Sequence, residues 1–137
     1  MSAESAATSV GAKRIVVVDD ESPIMQLCVK VLENSGHAVS GFTRGEDVLS
    51  ALTSQSADLL VVDYKMPGLN GFEVIRRARA LRPDLRVVMI TGHGTRDVVG
   101  EANQVGVNGL LLKPFTPNEL AETVSSVLGG TAAPPLR

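Results

Sequence analysis

Aromatic residues are scarce in this 137-residue chain: it has no tryptophan, one tyrosine and three phenylalanines. That leaves little from which to build stacking platforms for single-stranded nucleic acid. There is no surplus of basic residues either. The formal net charge is −2, so nothing in the overall balance is suited to neutralising a phosphate backbone. These two absences argue against nucleic acid as a direct partner. Cysteine is nearly absent as well. Cys28 stands alone, which excludes an internal disulfide and fits a reducing compartment. No apolar run approaches the roughly 20 residues that span a bilayer. The opening "MSAESAATSVGA" lacks the basic residues and apolar block of a signal peptide. A soluble cytoplasmic protein is expected.

What is present is ordinary for a globular domain: 44% hydrophobic and 20% charged residues. A chain of this length buries roughly two-thirds of the surface it exposes when unfolded, so one domain needs no covalent staple. The first twelve residues are small and polar, and "GGTAAPPLR" closes the chain. Residues 1–12 are therefore expected to be a disordered flank, residues 13–129 the domain, and residues 130–137 a tail or linker stub.

Between the flanks a short apolar run followed by a helical stripe recurs five times. The expected strands are Arg14–Val18, Ala38–Phe42, Leu59–Val62, Arg86–Ile90 and Asn108–Leu112. Three are nearly continuous Val, Ile or Leu, as in strands covered on both faces. The more polar "AVSGF" is the expected edge. Ser22 is the expected cap of a first helix, with Pro23 at its first position and a stripe of Ile24, Leu27, Cys28, Val31 and Leu32, ended by Gly36. That stripe makes Cys28 a packed thiol. Val48, Leu49 and Leu52 mark a second helix, and Phe72, Ile75, Ala78 and Leu81 a third. Val98, Val99, Ala102 and Val105, stopped by Gly106, mark a fourth. "TPNE" is a capping box, Thr116 with Glu119, for a fifth that buries Leu120, Val124, Val127 and Leu128.

Alternation of this kind makes an α/β doubly wound fold with right-handed crossovers and helices on both faces of a parallel sheet. Five units fit the flavodoxin-like order 2-1-3-4-5, whose topological switch lies between strands 1 and 3. Ligands of such sheets bind there, at the carboxyl ends of the strands. "RIVVVDDES" ends an apolar run on Asp19 and Asp20, and "LLVVDYKMPGLNGF" ends another on Asp63. Three carboxylates from distant sequence thus converge on the switch point.

Gathered like charges raise one another's pKa unless a cation sits among them. An oxygen-only donor set with room for water suits magnesium. Thr91 ends the fourth strand with a hydroxyl, and Lys113 follows the fifth with an ammonium. Carboxylates, hydroxyl, ammonium and divalent ion together suit a phosphoryl group, with an aspartate as nucleophile. Taken singly, each feature is a helix start, a turn or a cap. Their occurrence on one rim, in the order the fold requires, favours the chemical reading.

"VVDDES", "LLVVDYKMPGLNGFEVI", "VVMITGHG" and "LLLKPFTPNEL" closely resemble the receiver domain of two-component response regulators, over about residues 13 to 129. The resemblance implies that Asp63 is the phosphoacceptor, taking a phosphoryl group from a sensor histidine kinase or a histidine phosphotransfer protein. It implies that Asp20 ligates magnesium directly, Asp19 mainly through water, and Lys65 through its backbone carbonyl. Thr91 and Lys113 would contact the phosphoryl oxygens, and the Lys113–Pro114 bond would be cis. Modification would shift an existing equilibrium at the face made by the fourth helix, fifth strand and fifth helix, toward an output domain or effector protein. Receivers commonly carry an aromatic ring three residues before this lysine; here Leu110 stands there and is expected to be rim packing. Lys65 and His93, each two residues beyond a site residue, are expected to border the approach of water. "IRRARALR" reads as a solvated basic helix face.

Other classes fit less well. An aspartate-nucleophile phosphatase needs D-x-D, with the second acid protonating the leaving group; two residues after Asp63 comes Lys65, and two after Asp19 comes Glu21. "TGHGTR" matches neither G-x-G-x-x-G nor G-x-x-x-x-G-K-[ST], which argues against a nucleotide binder. A degenerate receiver that signals without phosphate would have no need of the full acid set and lysine.

Overall fold

The computed structural model describes residues 11–129. Most of the flank expected over residues 1–12, and the whole tail expected over residues 130–137, lie outside the described residues. The five strands are β1 (Arg14–Val18), β2 (Ala38–Phe42), β3 (Leu59–Asp63), β4 (Arg86–Thr91) and β5 (Gly109–Leu112). The helices are α1 (Ser22–Asn34), α2 (Gly45–Ser54), α3 (Gly71–Leu81), α4 (Arg96–Val105) and α5 (Pro117–Leu128). All strand pairs are parallel, in the order β2-β1-β3-β4-β5, as the alternation predicts. No helix among the described residues is long and apolar enough to cross a membrane.

The two-residue period of the strands sorts the core into two layers. Val16, Val18, Leu60, Val62, Val87 and Met89 face one way and pack with residues of α2, α3 and α4. Ile15, Val17, Leu59, Val61, Val88 and Ile90 face the other way, against α1 and α5. β3 is buried at all five positions, whereas β2 is half-exposed and forms the edge.

Several local expectations shift. β3 and β4 each run one residue further than their apolar stretches: Asp63 pairs with Ile90 and Thr91 with Leu112. The two polar side chains are thereby held by sheet hydrogen bonding rather than by loops. β5 begins at Gly109; Asn108, just before it, donates its N–H to the Val87 carbonyl at 2.7 Å and accepts from the Val87 N–H through its side-chain oxygen at 2.8 Å. Ser22 is not the cap of α1. Glu21 takes that position and Ser22 lies inside the helix, its hydroxyl accepting from Gln26. Leu27 is 37% exposed: one residue before buried Cys28, it projects about 100° around the helix from the sheet-facing side. Leu81, the last residue of α3, is 40% exposed, and Val74, off the expected stripe, is fully buried. Asn70 and Thr95, neither of them expected caps, accept from Glu73 and Val98 and begin α3 and α4. Gly106 ends α4 with a left-handed φ of 77°, and Thr116 and Glu119 form the reciprocal capping box of α5.

His37 stitches the start of β1 to the entry of β2. Its Nδ1 accepts from the Lys13 N–H at 3.1 Å, while Ala38 N–H donates to the Lys13 carbonyl. Burial, helped by the Lys13 charge and opposed by Asp58, holds the ring's pKa below its ordinary value. The unfolded chain therefore takes up this proton first, near the ordinary value of about 6.5. Stability should fall as the pH drops through that value and level off once the folded ring is protonated too. Urea midpoints for the native chain and His37→Gln at pH 8 and pH 5.5 check this: the gap between the two proteins should narrow or reverse at the lower pH. A gap independent of pH would refute it.

Candidate functional site

The strand order brings four strand ends to one rim. Asp19 directly follows β1, anchored by its N–H to the Phe42 carbonyl of β2 at 3.2 Å. Asp63 closes β3 and Thr91 closes β4. Lys113 follows β5, and its N–H donates to the Thr91 carbonyl at 2.8 Å. Asp19, Asp63 and Thr91 are the buried polar residues of the described structure; Asp20, beside them, is exposed.

One oxygen from each of Asp19, Asp20 and Asp63 lies within 4.8 Å of the others. The Lys113 ammonium reaches into this group, with Nζ 3.2 Å from Asp19 Oδ2 and 3.3 Å from Asp63 Oδ1. Its shortest contact is to a residue not expected here: Glu21 Oε1 at 3.0 Å. In the sequence Glu21 is marked only as the acid that follows "DD".

Burial, reinforced by the charge of Asp19, pushes the Asp63 carboxyl up to about 6, against the pull of Lys113. Asp19 is raised in the same direction, chiefly by burial, and lowered in part by the Glu21 N–H that it accepts at Oδ1. Burial works against the Lys113 charge, but Glu21, Asp19 and Asp63 outweigh it and its pKa is raised. Beneath the site the thiol of Cys28, fully buried on α1, is pushed up to about 12 by burial and by the neighbouring Asp19 charge. It is a packed thiol.

Whether a divalent cation suits the site is decided by the oxygens. Asp19 Oδ2 is buried, makes no hydrogen bond and forms an ion pair with Lys113 Nζ at 3.2 Å. A buried acceptor whose neighbouring ammonium is divided among three acids, in a cluster of three carboxylates, is the arrangement that a cation completes. The donors are all oxygens, the set that hard ions such as magnesium take.

The remaining expected residues lie around this centre. Thr91 Oγ1 accepts from the His93 N–H at 2.9 Å. The exposed His93 ring stands edge-on to Tyr64 with centroids 6.3 Å apart, and Tyr64 packs at 5.2 Å on Phe72 of α3. Lys65 is exposed in the turn after β3. The Lys113–Pro114 bond is cis. Leu110 is half-buried against the layer formed with α2, α3 and α4, so rim packing holds. Sequence reasoning also missed Gly71. A Cβ there would lie 2.6 Å from the Asp63 carbonyl oxygen, so α3 can sit this close behind Asp63 only with glycine at its first residue.

A doubly wound sheet that gathers buried carboxylates and a lysine at its switch point is suited to holding a cation and a phosphoryl group. The model for the response regulator receiver domain matches residues 15–125. The chain belongs to that family, the phosphoacceptor domains of two-component response regulators. It is 33% identical over 120 residues to the chemotaxis protein CheY homolog of Campylobacter jejuni, covering 85% of this chain and 92% of that protein. It is 30% identical over 112 residues to the C4-dicarboxylate transport transcriptional regulatory protein DctD of Rhizobium meliloti, covering 82% of this chain but 24% of that regulator. Among solved structures, a CheY-like receiver domain protein from Methanospirillum hungatei superposes with a TM-score of 0.82 at 26% identity, covering 88% of this chain and 97% of that one.

Proposed function

We propose that Asp63 is the phosphoacceptor, and that the domain takes a phosphoryl group from a sensor histidine kinase or a histidine phosphotransfer protein. The supporting observation is the Asp63 carboxylate itself: buried, grouped with Asp19 and Asp20, and 3.3 Å from the Lys113 ammonium. An Asp63 oxygen forms the new O–P bond as the donor's P–N bond breaks, and the imidazole leaves. Asp19, Asp20, Asp63 and the Lys65 carbonyl would hold Mg2+, which neutralises charge on the transferring oxygens when bound. Lys113 pairs with the phosphoryl oxygens, and Thr91 donates its hydroxyl to them. The domain catalyses only its own modification and its reversal, and it works in the cytoplasm over residues 13–129. Its modified form presents an altered α4–β5–α5 face to an output domain or effector protein.

Incubation with acetyl phosphate, with and without Mg2+, read by intact mass, tests this. One phosphoryl group should add only when Mg2+ is present, and none should add to Asp63→Asn. Modification of the asparagine variant would refute the assignment.

Lys65 and His93 set how long the modification lasts, through side chains exposed beside the path of attacking water. Alanine at either position should change the rate of phosphoryl loss by about two- to tenfold, in the range of a lost positioning contact. His93→Ala keeps the backbone N–H that Thr91 accepts, so it tests the ring alone. Native decay rates in both variants would remove the role.

A further inference from the structure

Glu21 holds the N-cap position of α1, with φ −86° and ψ 102°, yet its side chain makes no cap hydrogen bond. Cap positions favour Ser, Thr, Asp or Asn because a short side chain can accept from the second or third helical N–H. Here the backbone of Glu21 is tied instead to the acid cluster, its N–H donating to Asp19 Oδ1 at 2.9 Å. Its carboxylate reaches 92 residues along the chain to Lys113, at 3.0 Å. That is shorter than the contacts of Lys113 with Asp19 and Asp63, at 3.2 and 3.3 Å. The Glu21 side chain is 61% exposed, against 2% for Asp19 and 6% for Asp63.

The ammonium is therefore shared between two buried acids of the centre and one acid on its rim. An acyl phosphate on Asp63 brings negative oxygens toward Lys113, and pairing with them draws the ammonium from Glu21. Glu21 also presents negative charge to an anionic phosphodonor as it approaches. We infer that Glu21 is a positioning residue that latches Lys113 in the unmodified domain, opposing phosphoryl transfer until the ammonium is released to the phosphoryl group. This deepens the function proposed above and rests on it.

Two substitutions separate a latch from a merely structural acid. Glu21→Gln removes the charge and keeps the size. Glu21→Ser removes the latch and supplies a side chain that can cap α1. With acetyl phosphate at saturating Mg2+, the Asp63 oxygen forms the O–P bond and acetate leaves. Both variants should react about two- to fivefold faster than the native chain, the range an exposed ion pair supports. Glu21→Ser should also unfold no more readily than the native protein. A second readout needs no modification: the Lys113 Nζ resonance of the unmodified domain, followed by nuclear magnetic resonance, should shift in both variants. Folded variants with the native rate and an unmoved Nζ resonance would overturn the latch. A native chain that gains no phosphoryl group would overturn the parent reading instead, whatever the Nζ resonance does.

Discussion

Asp63→Asn is expected to make the domain harder to unfold in metal-free buffer at pH 8 while abolishing its modification. The Asp63 carboxyl has an ordinary value of 3.8 and is pushed up to about 6, first by burial and then by the charge of Asp19. That rise corresponds to roughly 3 kcal/mol of preference for the neutral form. Asparagine is neutral at every pH and nearly the same shape. It gives up the pairing of Asp63 with Lys113, but the ammonium keeps Asp19 and Glu21. A net gain of about 1–3 kcal/mol, or several degrees in midpoint, is the expected result. Because the folded carboxyl has the raised pKa, the native protein has its full stability from this group below about 3.8 and loses it as the pH climbs through 6. The variant's advantage should accordingly be large at pH 8 and vanish near pH 4. Mg2+ should raise the native midpoint by mass action and the variant's by less, since one carboxylate of three is gone. Thermal scans at the two pH values, with and without Mg2+, decide the matter. An asparagine variant less stable than the native chain at pH 8 would show that the acids are not in electrostatic conflict.

The second large effect belongs to a residue with no functional group. Gly71→Ala should destabilise the domain by about 1–3 kcal/mol and slow modification of Asp63. Helix propensity alone predicts the opposite, since alanine inside a helix is favoured over glycine by up to about 1 kcal/mol. Packing decides the sign. A Cβ at Gly71 would lie 2.6 Å from the Asp63 carbonyl oxygen and 2.9 Å from Tyr64 Cα. Both are backbone atoms of β3 and the turn after it, and cannot rotate away. α3 must then move off, straining the 2.8 Å bond from Gly71 N–H to the Tyr64 carbonyl and shifting the backbone that carries the Asp63 carboxylate. Gly100, in α4 and exposed with nothing within 4 Å of its would-be Cβ, is the matched control. Gly100→Ala should stabilise by about 0.5–1 kcal/mol. Equal effects at the two positions in denaturant unfolding would show that the close approach at Gly71 carries no weight.

Much of this molecule is legible from the sequence because its signals are local. Apolar runs of four or five residues and stripes at helical spacing are written in neighbouring positions, and a parallel doubly wound sheet leaves few ways to connect them. Asp19, Asp63, Thr91 and Lys113 could be placed because each lies at the boundary of such a run, and the fold brings carboxyl-end boundaries together. Leu27 and Leu81 are more exposed than their stripes predict, for the converse reason. A stripe marks an apolar arc, but how much of the arc the sheet covers depends on where the helix lies.

By itself, the sequence determined the element order, the two-sided burial of the sheet and the acids that end its strands, because hydrophobic period and cap chemistry act over a few residues. Tertiary structure alone decided that Glu21 abandons its cap to reach Lys113, that Asp19 Oδ2 is left without a hydrogen bond, and that α3 approaches Asp63 closely enough to admit only glycine. Those outcomes depend on ångström distances set by how the layers pack, whether eight residues separate the partners, as for Asp63 and Gly71, or 92, as for Glu21 and Lys113, and no local pattern encodes them.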